Sequence, residues 1–254
     1  MKTKKVSMEK NKKVAMITGG TQGIGLATAR QMAEKGYNLV LVARNRRQDL
    51  VEELKSLGSS DVLILEADLI DESACAEVIA AAQNKFSRID VLIHLAGGAV
   101  PGSLLEVSPH SWYKAFDIHL HAAFHLCRFA APVLRSNSEG CIILVSSAAG
   151  IRGVKNALAY AVVKGALPQM ARSLAFELAD DSIRVNCISP GVIRTRFQDT
   201  LSPEQVKNNI DNRIPLHREG VPNDVAQVIG MLVENTYITG ENIVIDGGLT
   251  MRIA

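Results

Sequence analysis

The chain has 254 residues, 47% hydrophobic and 21% charged, with apolar material for a substantial core and a composition unlike that of a disordered chain. No run approaches the about 18 uninterrupted apolar residues of a membrane span. The net charge of +2 is unevenly placed: residues 1–13 carry six lysines against one glutamate, a net +5, which leaves −3 on the remainder. A body without basic excess argues against nucleic acid as the main partner.

The lysine-rich segment 1–13 reads as a flexible, solvated tail. It has neither the apolar core of a secretory signal nor the arginines of a mitochondrial one. Cys75, Cys127, Cys141 and Cys187 are far apart and form no CxxC pair, so small buried thiols in a reducing cytoplasm are expected, with no zinc site.

In chain order, Val14–Thr18 reads as a strand and Gly23–Lys35 as a helix with Leu26, Ala29 and Ala33 along one side. Asn38–Ala43 is a second strand, a charged helix follows near Arg47–Leu57, and Asp61–Glu66 is a third strand. An alanine-rich helix over Glu72–Phe86 leads to a strand at Asp90–Leu95. Helical period continues near Ser111–Leu134, followed by a strand at Cys141–Ser146 and a helix over Lys155–Ala179. Pro168 should kink or divide that helix. The last elements are a strand at Ile183–Ile188, a helix over Asp224–Leu232 and a strand at Asn242–Ile245. The strands are apolar on both faces, as strands covered on both sides should be. Their alternation with helices predicts a parallel sheet with right-handed crossovers. Residues 191–222, with Pro203 and Pro215, are the least regular stretch and read as a lid or binding loop. Residues 14–254 read as one domain that includes this loop.

Directly after the first strand comes Thr18-Gly19-Gly20-Thr21-Gln22-Gly23-Ile24-Gly25, which opens into a helix. Glycines there let the backbone turn tightly and approach a pyrophosphate at the helix N-terminus. The spacing is not GxGxxG. Together with Tyr160-Ala-Val-Val-Lys164, it resembles the short-chain dehydrogenase/reductase family, and the likeness extends over nearly the whole chain. Asp68, with Leu69 beside it, matches the family's adenine-contacting position. Ala96-Gly97 matches the end of an Asn-Asn-Ala-Gly motif, and Ser147 stands 13 residues before Tyr160, the family's usual separation. Asn186, Pro190-Gly191, Ile193 and Thr195 match the segment over the nicotinamide. Tyr237–Gly240 and Asp246–Gly248 match the C-terminal signature.

The resemblance implies a single Rossmann-type, doubly wound parallel sheet of seven strands in the order 3-2-1-4-5-6-7, with helices on both faces. It implies a nicotinamide cofactor and a small-molecule carbonyl or alcohol substrate. By analogy the assembly is a homotetramer or a dimer, offered by the helices around Ala122–Leu134 and Ala157–Leu178. An acid at the end of the second strand would bond a ribose 2′-hydroxyl, and an arginine would accept a 2′-phosphate. Here the run is Ala43-Arg44-Asn45-Arg46, so NADP(H) is expected over NAD(H), with Gln22 a feature that tempers the assignment.

A free tyrosine titrates near ~10. Lys164, one helical turn beyond Tyr160, supplies positive charge that should favour the phenolate. The resemblance makes Tyr160 the general acid/base, has Lys164 bond the nicotinamide ribose, and has Ser147 hold the substrate oxygen. Ser146 is the neighbouring alternative, but the separation of 13 selects Ser147. Two departures stand out: His94-Leu95 replaces Asn-Asn, and His119 stands where relatives carry an asparagine that helps relay protons to the lysine. His119 can donate and accept, and an unperturbed imidazole titrates near neutral pH; a hydrogen-bonded core histidine is the alternative. His121 and His125 share a metal-compatible spacing but lack a third ligand.

The expected function is NADP(H)-dependent carbonyl reduction or alcohol oxidation. A narrower alternative is 3-oxoacyl-[acyl-carrier-protein] reductase, although Asp180-Asp181 stand where carrier-docking relatives tend to place an arginine. A different class, a catalytically silent nucleotide-binding scaffold or sensor, has only the replaced asparagine in its favour. Substrate contacts are expected from Gly98–Leu104, Ile151–Asn156 and Phe197–Arg213. Val100, Leu104, Ile151, Val154 and Phe197 would give a partly apolar pocket, and Arg152, Lys155 and Arg196 could orient an anion.

Overall fold

The computed structural model describes residues 12–199 and 201–251. Most of the expected basic tail and the side chain of Phe197 lie outside the described part. Seven strands form one sheet: β1 (Val14–Thr18), β2 (Asn38–Ala43), β3 (Val62–Glu66), β4 (Val91–His94), β5 (Gly140–Val145), β6 (Ile183–Pro190) and β7 (Asn242–Ile245). All pairings are parallel and the order is β3-β2-β1-β4-β5-β6-β7, as the family resemblance implied.

Side chains alternate across each strand, so one run supplies two cores. Val14 and Met16 face α3 (Glu72–Phe86), α5 (Ala122–Arg135) and α6 (Leu158–Glu177). Ala15 and Ile17 face α1 (Gly23–Glu34), α2 (Leu50–Ser56) and α8 (Pro222–Glu234). The chain moves outward from β1 in one direction through β2 and β3, then in the other from β4. The loops after β1 and β4 therefore part at the C-terminal edge and leave a crevice, where ligands bind in such sheets.

Three segments depart from the sequence-based expectation. The helical stretch near Ser111–Leu134 is α4 (Pro109–Phe116), a π turn at Asp117–His121 and then α5. Ser108 caps its start, accepting the Ser111 N–H at 3.1 Å. Pro168 does not divide α6, which runs unbroken past it. A proline at 168 cannot donate to the Lys164 carbonyl one turn back, but that carbonyl accepts instead from Ser146 Oγ at 2.5 Å. The 191–222 stretch carries a 3₁₀ turn at Arg196–Gln198, α7 (Pro203–Asn208) capped by the Ser202/Gln205 box, and a π turn at Asn209–Arg213. It is more regular than its prolines suggested, because Pro203 sits in the first turn of α7, where proline is tolerated.

Candidate active site

The turn after β1 is built on two glycines with different duties. Gly19 has φ +66°, the left-handed region that glycine enters without strain. Its N–H donates to the Val42 carbonyl at 2.7 Å. A Cβ on Gly25 would lie 2.1 Å from the Gly19 carbonyl oxygen, so only glycine lets α1 start so close to the turn. The first turn of α1 has no acidic residue and no side-chain cap, so its N–H groups and the positive end of the helix remain available to an anion. Arg44 follows β2 on the cavity wall and has no ion-pair partner among the described residues. The next acid, Asp49, is engaged by Arg47 at 2.6 Å.

Thr18 and His94, register partners at the ends of β1 and β4, fasten the crevice from below. Thr18 Oγ1 accepts the N–H of Leu95 at 3.1 Å and that of Ala96 at 3.0 Å. Its own hydroxyl proton is then left for His94 Nδ1, 3.0 Å away, which assigns the ring proton of His94 to Nε2.

His119, in the π turn, is 1% exposed. Its Nε2 lies 2.9 Å from the Gly98 carbonyl and donates to it, which leaves Nδ1 a bare acceptor with no partner among the described residues. Burial, reinforced by the Lys164 charge, pushes both imidazoles down to about 3. This corrects the expectation that His119 could titrate near neutral pH: both rings are neutral there. A Cβ on Gly97 would lie 2.3 Å from His119 Cε1, so the glycine makes room for the ring.

Ser147 follows β5 and accepts the Ala149 N–H at 3.2 Å in a 3₁₀ turn. Tyr160 and Lys164 lie one turn apart on α6, with the ammonium 5.7 Å from the phenol ring centroid. His119 meets the same ring edge-on, centroids 5.5 Å apart. Burial raises the Tyr160 phenol above its ordinary value, and its hydrogen bond with Ser147 pulls only partly the other way. The net direction is opposite to the phenolate bias expected from Lys164. Lys164 is itself buried, its Nζ donates to the Val145 carbonyl at 2.7 Å, and desolvation lowers it to about 8.

One cavity of about 910 Å³ is lined by Gly19, Thr21, Gln22, Gly23, Ile24, Gly25, Arg44, Asp68, Leu69, Ala96, Gly97, His119, Ser147, Tyr160, Lys164, Pro190, Gly191, Ile193 and Thr195. Ser147, Tyr160, Lys164, His119 and most of the residues matched to the cofactor-binding motifs are thus on its wall. Asn186 is not. It is fully buried, its amide donating to the Ile238 carbonyl at 2.8 Å and accepting the Glu241 N–H at 3.1 Å, which pins β6 to the C-terminal segment.

Val100, Val154, Arg152 and Arg196 line the cavity, whereas Leu104, Ile151 and Lys155 do not; Leu104 is 75% exposed. Arg213, the last residue of the expected Phe197–Arg213 segment, lies on the wall too, as do Leu249 and Thr250, which carried no distinguishing signal in the sequence. Thr18, Ser146 and Gly150 also escaped it as supporting residues, although a proline four residues after Lys164 signals an orphan carbonyl that some donor must meet. His121 contacts Asp117 at 3.0 Å and His125 lies 3.7 Å from Glu72. Among the described residues no cluster of ligating side chains could hold a metal.

Residues 19–250 match the family model described as enoyl-(acyl carrier protein) reductase. The chain is 35% identical over 244 residues to the 3-oxoacyl-[acyl-carrier-protein] reductase FabG of Thermotoga maritima, a match covering 94% of this chain and 98% of that one. This chain belongs to the short-chain dehydrogenase/reductase family.

Two solved members of the family superpose closely. The L-sorbose reductase of Gluconobacter frateurii, complexed with NADPH and L-sorbose, has a TM-score of 0.89 at 29% identity, covering 95% of this chain and 98% of that one. The 3-oxoacyl-[acyl-carrier protein] reductase of Brucella melitensis, in complex with NAD, has a TM-score of 0.91 at 26% identity, covering 96% and 99%. Membership makes this short-chain dehydrogenase/reductase an NAD(P)-dependent oxidoreductase of carbonyls and alcohols. The cradle closed by Gly25 and the uncapped start of α1 fit such a cofactor.

Proposed function

We propose that this protein is an NADP(H)-dependent oxidoreductase interconverting a carbonyl and a secondary alcohol, in which Tyr160 delivers the proton in the reducing direction. The observation that carries this reading is that Tyr160, Ser147 and Lys164 share one cavity wall with the glycine turn, with burial raising the phenol of Tyr160 above its ordinary value. A protonated phenol beside a substrate oxygen is a general acid. Ser147, already hydrogen-bonded to that phenol, orients the same oxygen. Lys164 keeps a positive charge below about pH 8 and steadies negative charge as the phenol gives up its proton. When bound, the nicotinamide supplies the hydride. The glycine turn, Asp68, Leu69, Ala96, Gly97 and the Pro190–Thr195 segment would hold the cofactor, with Lys164 positioned to bond its ribose. Bare Nδ1 of His119, buried beside Tyr160 and Lys164, takes the place of the family's asparagine as an acceptor in proton resupply.

Arg44 supports NADP(H). It reaches the cavity from the end of β2 without an ion-pair partner among the described residues, and a guanidinium pairs a phosphate bidentately. Fluorescence titration with NADPH and NADH, on wild type and Arg44→Ala, tests the reading. NADPH should bind more tightly, and the variant should lose that preference while keeping NADH affinity. A wild type that prefers NADH sinks the assignment of Arg44. A protein that binds neither nucleotide sinks the enzymatic reading and leaves a silent scaffold.

A second reading, 3-oxoacyl-[acyl-carrier-protein] reductase, draws on the Thermotoga relative. Against carrier docking near the end of α6, Asp181 is exposed in part and paired with Arg135 at 2.6 Å, and Asp180 adds a second acid.

A further inference from the structure

Beyond the reaction type, we propose that the substrate is a carbonyl compound bearing a carboxylate or phosphate, gripped by Arg152, Arg196 and Arg213. The inference rests on the proposed carbonyl-reducing role of the same cavity. Its wall carries Arg44, Lys164 and three further arginines against a single acid, Asp68, among the described residues. The three come from separate segments: Arg152 from the turn after β5, Arg196 from the 3₁₀ turn after β6, and Arg213 from the π turn following α7. All three side chains are exposed to solvent, and three independent stretches of backbone bring the same charge to one cavity wall, where an entering anion would meet it.

Six arginines elsewhere, Arg30, Arg47, Arg88, Arg135, Arg194 and Arg218, each have a carboxylate within 2.5–2.7 Å, whereas Arg46, Arg128, Arg172 and Arg184 off the cavity, and Arg44 on its wall, form no ion pair among the described residues. Arg194 lies only two residues before Arg196 and is paired with Glu219. The three cavity arginines form no ion pair among the described residues. Two of them are anchored by neutral acceptors: Arg152 Nε donates to the Thr250 carbonyl at 2.9 Å, and Arg213 Nη1 to Asn209 Oδ1 at 2.7 Å. Asn209 is itself 4% exposed. These bonds orient the guanidinium groups and leave their charge uncompensated.

Nearby acids are engaged elsewhere. Asp211 pairs with Lys207, and Asp246 accepts from the N–H groups of Gly248 and Thr250 and from the Thr250 hydroxyl. Asp199, one turn beyond Arg196, lies off the cavity wall. Val100, Val154 and Leu201 line the space between and suit the carbon chain of an oxo acid or an oxoalkyl phosphate.

The test compares straight-chain oxo acids, their methyl esters and phosphate-bearing ketones of matched length, with NADPH, on wild type, Arg196→Gln and Arg152→Lys. The expected result is a kcat/KM at least about tenfold higher for an anionic ketone than for the ester. Arg196→Gln should abolish that advantage by raising KM for the anion while leaving the ester unchanged, and Arg152→Lys, which keeps the charge, should retain part of it. Carboxylate and phosphate arms then tell which anion is preferred. Equal kcat/KM for anion and ester, or variants that weaken both alike, overturns the proposal while the reductase reading stands. Should no ketone be reduced, the functional reading fails. Calorimetric titration with the matching hydroxy acids then decides the anion site by itself, and heat that is absent or indifferent to Arg196→Gln overturns it.

Discussion

At the scale of single residues, the catalytic wall is defined by desolvation. Tyr160 rises, Lys164 falls to about 8, and His94 and His119 fall to about 3, and the leading cause is the same in each: the charged form has lost its water. A neutral His119 with its Nε2 proton committed to Gly98 presents only a lone pair, Nδ1, to its surroundings. We therefore expect His119→Ala to lower kcat, on the order of 10-fold or more, while leaving the Kd for NADPH nearly unchanged. His119→Asn, the family's usual residue, should restore much of the loss. Steady-state kinetics with fluorescence titration separates the two quantities. A kcat for His119→Ala equal to that of wild type would make the histidine a packed core residue with no part in turnover.

Among the elements, α6 carries the central test. Its Pro168 breaks the internal ladder one turn beyond Lys164, and Ser146 repairs it from β5. Ser146→Ala strands a buried carbonyl and should cost about 1–3 kcal/mol. Pro168→Ala returns an N–H to the ladder, so in that background Ser146→Ala should cost less. Urea unfolding of the two single variants and the double variant gives the coupling directly, and strict additivity would refute the repair. Gly150 belongs to the same joint, since a Cβ there would lie 2.6 Å from the Lys164 carbonyl carbon.

This joint also marks where sequence reading stops. The strands and most helices are legible because their periodicity is local, and Tyr160, Lys164, Ser147 and the glycine turn are legible because their spacing is. Ser146 was weighed only as a rival to Ser147, and its bond to Lys164 spans 18 positions that no local pattern connects. The π turn at Asp117–His121 escaped for another reason. One extra residue in a helix leaves the apolar stripe nearly intact, yet it swings His119 inward. The convergence of Arg152, Arg196 and Arg213 depends on where three loops end, which their own residues do not announce.

Over the whole molecule, the sheet confines the two histidines between its cores, and this sets a pH dependence of folding. In the folded protein both rings have pKa values lowered from 6.5 to about 3. The unfolded chain therefore binds more protons between those values, and stability falls as the pH drops through that window. The stabilising contribution is complete above about pH 6.5 and is lost progressively toward pH 3. His94→Asn and His119→Asn should each flatten the slope of unfolding free energy, most cleanly at the upper end of the window, before carboxylates titrate. Chemical denaturation at a series of pH values measures it, and slopes identical to that of wild type would show that the histidines are protonated in the fold.

The contact between Gly97 and the His119 ring also sets an order on how this site can change over generations. With the imidazole in place, the nearest heavy atom to a Cβ at position 97 would be 2.3 Å away, so a lineage holding the histidine is bound to glycine there. Position 97 becomes free to vary only after position 119 has shrunk, and once a side chain has settled at 97 the histidine has no way back.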